Sequence, residues 1–314
     1  MLRCPRAQDR PVTQLDIVML ESLPALHDVG HIQPAGVVLV FEAKSETIVA
    51  ASSNLETRIA GWTAAEAIGL QADEVLGHTI VHDARNAEIL PSFQRLPELL
   101  GVTNLGAGDI EISVHGAGDL VVVEICEAQP EPSALKLIKD LTRLEDRMRG
   151  GRSMPEVLGD VVGLFRIMSG YDQVQAIRLR SDDQGSLVAE SRRTALELVP
   201  GTRVPWPLEA GTARFPPYRY LVDAEGPPVR VVSNVNATLD LGLCQTVIPS
   251  TRHLGELTKQ GIRSELTIPL PGDNHIWGAF VFQSHRPRAP SPRFTYLCMS
   301  LAPLFKEMLI SRGG

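Results

Sequence analysis

The clearest alternation of polar and hydrophobic positions lies in residues 241–285. A helix-compatible segment at 251–260 ends at Gly261, and two strands follow at 264–270 and 276–283 around the turn-forming residues PGDNH. The second strand carries the apolar run WGAFVF, which is typical of a buried central strand. The pattern therefore predicts a short helix beside a sheet, with His253 on that helix.

The first third of the chain mixes strand and helix patterns. Apolar runs predict four strands, at residues 36–41, 47–51, 106–115 and 119–126. Ser53 with Glu56, and Thr63 with Glu66, fit the capping box, in which two side chains satisfy free amides at a helix start. Each pair predicts a short helix. Together these elements indicate a small α+β sheet domain.

A proline-bearing linker at residues 128–133 marks the predicted domain boundary. A helix is predicted at 134–149, and its apolar face either packs on the following sheet or forms a dimer seam. Ser153, Pro155 and Glu156 predict the start of a further helix, which ends at Gly170. Beyond it, strands are predicted at 174–179, 186–190 and 229–232, a long loop at 200–228, and an amphipathic helix at 291–310.

Composition narrows the class of protein. The chain has 314 residues, 44% of them hydrophobic, and a net charge of −7, which argues against nucleic acid as a partner. It has neither a signal peptide nor an apolar run of membrane-spanning length. The four cysteines show no paired spacing. We therefore expect a cytoplasmic protein with reduced thiols and no membrane association.

Catalytic and metal-binding motifs are missing from the sequence. It contains no GxSxG, HExxH, phosphate loop or paired CxxC, and its eight histidines are scattered. We therefore predict neither catalytic residues nor a metal site, and expect a protein that is not an enzyme.

Three segments resemble the bacteriophytochromes. LHDVGHIQPAG at 26–36 is similar to their I-H-I-P-G-x-I-Q-P-H-G signature, and GYDQVQAIRLR at 170–180 to G-Y-D-R-V-M-x-Y-R-F. The 241–285 region resembles S-P-x-H-x-x-Y-L-x-N-x-G followed by W-G-L-I-A-C-H-H, part of the family's chromophore-binding GAF domain. The matching positions there are Ser250, His253, Leu257, Gly261, Trp277 and Gly278.

The resemblance implies an α+β fold in two domains, each an antiparallel sheet flanked by helices. It divides the chain into an N-terminal arm (1–33), a PAS domain (34–129) and a GAF domain (134–314). In the family, the arm threads through a loop of the GAF domain, and a helix like that at 291–310 contributes to dimers. The same arrangement is expected here.

The resemblance also implies a bilin pigment, but the attachment residue is missing. A covalently held bilin needs a thiolate. The bacterial attachment position falls on Glu21 and the plant-type position on Arg252. The nearest thiol upstream is Cys4, while Cys244, nine residues before His253, is predicted to be a small buried apolar residue.

The polar groups of the family's pigment pocket are also largely replaced. Leu208 stands at the position of an aspartate, Val247 at that of an arginine, and Ile177 and Glu256 at those of two tyrosines. The residues that remain as cofactor-binding candidates are His253, Ser250 and Arg230. His253 is alternatively a hydrogen-bonded structural residue, and Arg230 a surface residue of its strand.

These replacements predict a degenerate bacteriophytochrome-like sensory module that holds no bilin covalently and needs no cofactor. It would form a homodimer and regulate an output domain or a downstream signalling protein, and any kinase or other output activity would lie outside this chain. Two alternatives stay open. One is a working photoreceptor that holds biliverdin non-covalently or through an unusual cysteine. The other is a sensor of redox state or of another ligand, built on Cys244 or His253.

Overall fold

The computed structural model describes residues 27–130, 153–180, 184–193, 203–204, 218–235, 239–271, 276–292 and 294–301, with positions 133, 139, 142, 143 and 146. The strands of the first part are β1 (His27–Ile32), β2 (Gly36–Glu42), β3 (Ile48–Ser52), β4 (Glu98–Asn104), β5 (Asp109–Ala117) and β6 (Leu120–Glu127). Its helices are a 3-10 turn (Leu55–Thr57), α1 (Ala64–Ala67), α2 (Ala72–Leu76) and α3 (His78–Glu88).

The second part has two long helices against a sheet. The helices are α4 (Met154–Ser169) and α5 (Thr251–Lys259), and residues 294–301 are helical as well. The strands are β7 (Gln173–Leu179), β8 (Gly185–Arg192), β9 (Arg203–Val204), β10 (Arg219–Leu221), β11 (Val229–Ser233), β12 (Ser264–Pro271) and β13 (Ile276–Ser284). No described helix is long and apolar enough to cross a lipid bilayer.

The first sheet has seven strands in the order β1-β11-β3-β2-β6-β5-β4, with antiparallel pairing throughout. Its central strands are buried on both faces. Along β2, Val37, Leu39 and Phe41 face the helices, while Val38 and Val40 belong to a second cluster with Leu241 and Cys244. This double burial explains why β2 is a continuous apolar run instead of an alternating one.

The second sheet has six strands in the order β10-β12-β13-β7-β8-β9. Its inner face packs on α4 and on the helix at 294–301 through an aromatic cluster. Phe165 of α4 lies 5.2 Å from Phe280 in an edge-to-face arrangement and 5.9 Å from Phe294, measured between ring centroids. The predicted buried strand WGAFVF is β13, a central strand of this sheet.

Local signals at helix ends are mostly confirmed. Both predicted capping boxes at Thr63 and Ser153 form, and Gly170 ends α4 with a left-handed backbone, φ 68°. The capping box predicted at Ser53 is wrong. The amide of Ser53 instead donates to the carbonyl of Arg230 in β11 (2.8 Å), and a 3-10 turn begins after Asn54. Ser53 therefore takes part in strand pairing instead of capping a helix.

The strand β11 lies between β1 and β3, although it belongs to the second part of the chain. Val231 pairs with Gly30 on one side and with Ser52 on the other. The end of the predicted arm is thus hydrogen-bonded to a loop of the second domain. The passage of the arm through that loop stays a prediction, because residues 1–26 lie outside the described part.

Other predictions also fall outside the described residues. They concern Cys4, Glu21, Leu208 and most of the loop at 200–228. Positions 139, 142, 143 and 146 are helical, as predicted for 134–149, but the remainder of that segment and residues 302–310 of the last predicted helix are not described.

A buried carboxylate joins the two domains. Glu124 of β6 is 1% exposed and accepts hydrogen bonds from the backbone amides of Gln245 (2.9 Å) and Thr246 (2.8 Å), and from the hydroxyl of Thr246. The loop lies so close to β2 that a Cβ on Gly36 would be 2.5 Å from Thr246 Oγ1. Removing this carboxylate would leave buried amides without acceptors, at about 1–3 kcal/mol each.

The tight pairing of β13 with β7 predicts a large effect of one glycine substitution. A Cβ on Gly278 would clash with the carbonyl oxygen of Ile177. We expect Gly278→Ala to lower the free energy of unfolding by at least about 2 kcal/mol, because backbone atoms cannot move aside without breaking the ladder. The matched control is Gly159→Ala in α4, where a Cβ meets nothing within 4 Å and should stabilise by about 0.5–1 kcal/mol. Equal values for both in urea denaturation would contradict the packing.

Glu124 predicts a specific pH dependence of stability. Burial raises its pKa above the ordinary value, outweighing the three donated hydrogen bonds. The native state therefore holds the proton more tightly than the unfolded state. This contribution is complete below the ordinary carboxyl pKa and is lost as pH rises through the raised folded-state pKa.

The variant Glu124→Gln isolates this contribution. We expect the unfolding free energy of wild type minus that of Glu124→Gln to fall as pH is raised from about 5 to about 8. Urea denaturation of both proteins at each pH gives the difference in unfolding free energy. Any pH-independent effect of the glutamine side chain shifts this difference by the same amount at every pH. A difference that stays level or rises with pH would contradict a raised pKa.

Candidate functional site

The first turn of α5 brings together two of the three predicted site residues. Ser250 is the N-cap of this helix, and its hydroxyl accepts a hydrogen bond from the amide of His253 (3.3 Å). Serine favours this position because its oxygen satisfies an amide that has no partner within the helix. The cap, three residues before His253, fixes where α5 begins.

The imidazole of His253 is bound by a carboxylate of the neighbouring sheet. Its Nε2–H donates to Oε1 of Glu265 at 2.8 Å, and the side-chain amide of Gln283 donates to Oε2 of the same carboxylate at 2.8 Å. Glu265 and Gln283 are direct partners in the β12–β13 ladder, and Glu265 is 6% exposed. Both of its oxygens are therefore used by protein donors.

A second carboxylate lies on the same sheet. Glu190 of β8 accepts from the side-chain amides of Gln173 (3.1 Å) and Gln175 (2.7 Å), and the Nε atom of Arg192 lies 2.8 Å from the same oxygen. Gln175 and Glu190 are ladder partners. Side chains alternate along each strand, so these polar residues occupy the face opposite the aromatic core.

We call this face the outer face of the second sheet. Besides the two carboxylates it carries an apolar patch, which consists of Ile177, Leu187, Ala279 and Val281. The outer face therefore combines an apolar floor with buried hydrogen-bond acceptors. The four apolar residues are at most 2% exposed, so the patch is covered by the chain.

The third predicted residue, Arg230, lies in a different sheet. It is an exposed residue of β11 and pairs with His31 of β1 in the seven-stranded sheet, whereas His253 packs against the six-stranded one. A role for Arg230 towards an anionic group stays a prediction.

Of the described thiols, Cys244 and Cys298 are fully buried and Cys126 is partly buried. Cys244 is fully buried beside Ile32 and Val231, and burial raises its pKa. Burial also raises the pKa of Cys126, whose sulfur lies 3.0 Å from the hydroxyl of Tyr220. Because the thiolate is the nucleophile, these environments disfavour addition to a ligand.

Cys298 is likewise fully buried, within the aromatic core of the second domain. Burial raises the pKa of its thiol as well. The sequence expectation that Cys244 is a buried apolar residue is confirmed.

Sequence reasoning missed the acidic residues that organise this region. Glu265 lies 12 positions after His253, and no local spacing pairs a helix residue with a residue of the following strand. The sequence does carry a signal for Glu124, since it is a single charge within the apolar run VVVEI. A charge at such a position is costly to bury unless it is hydrogen-bonded, which points to a specific partner.

Comparison with known families and proteins places the fold. The model of the family PAS_2, described as a PAS fold, matches residues 22–128. The chain is 26% identical over 287 residues to a bacteriophytochrome of Pseudomonas aeruginosa, covering 86% of this chain and 37% of that protein. It is also 26% identical over 298 residues to the phytochrome-like protein Cph1 of Synechocystis sp., covering 86% and 38%. The chain thus spans less than two fifths of these relatives.

Solved structures agree with these relatives. The chromophore-binding domain of Stigmatella aurantiaca phytochrome P1 superposes with a TM-score of 0.73 at 21% identity, covering 90% of this chain and 97% of that one. The chromophore-binding domain of an unusual bacteriophytochrome from R. palustris gives 0.76 at 18% identity, covering 91% and 97%. At this identity the superpositions establish the fold. Together with the related sequences, they show that the chain is similar to the PAS–GAF chromophore-binding modules of bacteriophytochromes.

Proposed function

We propose that this chain is the sensory PAS–GAF module of a phytochrome-like signalling protein, and that it holds no bilin through a covalent bond. The observation that carries the proposal is the contact of His253 with Glu265 (2.8 Å). The imidazole that the family resemblance directs towards a pigment is already bound by a protein carboxylate. His253 and Ser250 then act as structural residues of α5.

The state of the thiols supports the same proposal. Cys126, Cys244 and Cys298 lie in environments that raise the thiol pKa, so none is prepared to add to a vinyl group. Burial of Cys244 also weighs against the alternative of a redox sensor built on that residue, because oxidation requires an accessible thiolate. The described residues thus do not fit a covalently attached bilin.

A second candidate function is photoreception with biliverdin held non-covalently. The apolar patch of the outer face, between the carboxylates of Glu190 and Glu265, favours it. A flat conjugated ring system would pack on this patch only after the segments that cover it move aside, because its residues are at most 2% exposed. Its pyrrole N–H groups would also compete with the protein donors already bound to the two carboxylates. Biliverdin is itself anionic through its propionates, so this binding would need cations near them, and the candidate Arg230 lies in the other sheet.

Signalling would proceed through an output domain or a separate signalling protein. By analogy with the phytochromes that the chain is similar to, we infer that it acts as a cytoplasmic homodimer. Changes in helix packing are the usual means by which such modules control an output. The module itself would have no catalytic activity.

Incubation with biliverdin tests the proposal. The purified chain is mixed with biliverdin and desalted, its absorption spectrum is recorded, and an aliquot is run on a denaturing gel with zinc fluorescence. We expect no fluorescent band for the wild type and none for Cys4→Ala. A band in the wild type would overturn the proposal, and its loss in Cys4→Ala would assign the attachment to the arm.

The absorption spectrum separates the two candidates. Retention of a red-shifted band after desalting, with no fluorescent band on the gel, would favour non-covalent photoreception. In that case Glu265→Gln should weaken the retained band, because it removes a negative charge from the outer face. The control Glu88→Gln, at the exposed end of α3 in the first part of the chain, should leave the band unchanged. Recovery of protein without bound biliverdin would support the proposal of a sensory module that holds no pigment.

A further inference from the structure

A cavity lies at one end of the six-stranded sheet, where β8 and β13 end and β7 begins. Its volume is about 560 Å³, within the range of small-molecule sites. Segments that are far apart in sequence meet there, including the turn after α5 with Gln260 and Ile262. The charged residues of its lining are Asp172, Arg192, Arg193, Arg286 and Arg288, together with His285.

The charge of this lining is opposite to that of the whole chain. Four guanidinium groups line one cavity of a protein whose net charge is −7. Among the described residues of the lining, Asp172 is the one carboxylate. It accepts hydrogen bonds from the hydroxyl of Ser284 (2.7 Å) and the amide of His285 (3.1 Å), and Arg193 lies 3.4 Å away. These contacts hold the pKa of Asp172 below its ordinary value. Glu190 is not part of the lining but lies 2.8 Å from the Nε atom of Arg192, so two carboxylates stand against four guanidinium groups.

Several of these side chains are held in place before any ligand arrives. The guanidinium of Arg288 lies 5.5 Å from the ring centroid of Tyr171 and donates to the carbonyl of Ser169 (3.3 Å). His285 donates from Nδ1 to the carbonyl of Gly261 (2.8 Å), which fixes the orientation of its ring. Fixed donors bind an anion with less loss of conformational entropy than mobile ones.

We propose that this cavity is a binding site for a small polyanion that carries phosphate or carboxylate groups. Planar guanidinium groups bind such oxygens in pairs, and charge-assisted hydrogen bonds are stronger than neutral ones. The cavity adjoins the outer face of the sheet, because Gln173 and Arg192 line it and both contact Glu190 of that face. A ligand here would contact both the turn after α5 and the end of β13. Its binding would therefore act on the two elements that carry His253 and Gln283.

Titration calorimetry of the whole chain with pyrophosphate, and separately with citrate, tests this site. We expect saturable binding of at least one of them, at one equivalent, that weakens as salt is raised. Arg286→Ala should weaken the binding by about tenfold, the value of one charge-assisted hydrogen bond. The matched control is Arg95→Ala, an exposed arginine of the first domain, which should leave the affinity unchanged.

The results distinguish the two classes of ligand, and they also show which outcome would exclude the site. Binding of pyrophosphate alone assigns a phosphate-bearing ligand, and binding of citrate alone a polycarboxylate. Absence of saturable binding for both anions would overturn the proposal, as would equal losses in Arg286→Ala and Arg95→Ala. Arg193→Ala, at a side chain that is 74% exposed, provides a second variant whose folding does not depend on the cavity.

Discussion

The pairing of β11 with both β1 and β3 is the constraint on which the rest of the structure depends. It inserts a strand of the second domain into the sheet of the first, so that one set of backbone hydrogen bonds runs across both. The chain that follows β11 then returns over the first sheet, where Leu241 and Cys244 are buried against it. Separation of the domains would expose that apolar surface and break the ladder at the same time.

This arrangement also sets the position of the candidate site. Glu124 holds the amides of Gln245 and Thr246, and α5 begins five residues after Gln245, at the cap Ser250. The location of His253 is therefore determined by the first domain as much as by the sheet on which the imidazole rests. A change in either domain has a short covalent path to the other, which suits a module that transmits a signal.

Much of this architecture follows from the sequence, but the contacts that define the site do not. The apolar run of β13, the capping boxes at Thr63 and Ser153 and the glycine that ends α4 act locally, and local patterns predicted them. The Ser53 cap was wrong because a long-range strand pair competes for the same amide.

The partners of the site residues depend on tertiary structure. Predicting that β11 joins the first sheet required knowledge of which strands are neighbours in space. The same holds for Glu265, which engages His253 from another element. A sequence motif thus identifies the histidine, but it does not identify the residue that hydrogen-bonds to its ring.

The central claim is that a carboxylate of the protein, and not a pigment, binds the imidazole of His253. Nitrogen-15 NMR of the histidine rings tests it, with Glu265→Gln to assign the His253 resonances through the contact that the variant alters. We predict that these resonances move in Glu265→Gln and stay in place when biliverdin is added to the wild type. Resonances that move with biliverdin in the wild type, in proportion to its concentration, would contradict the account and place a ligand at His253.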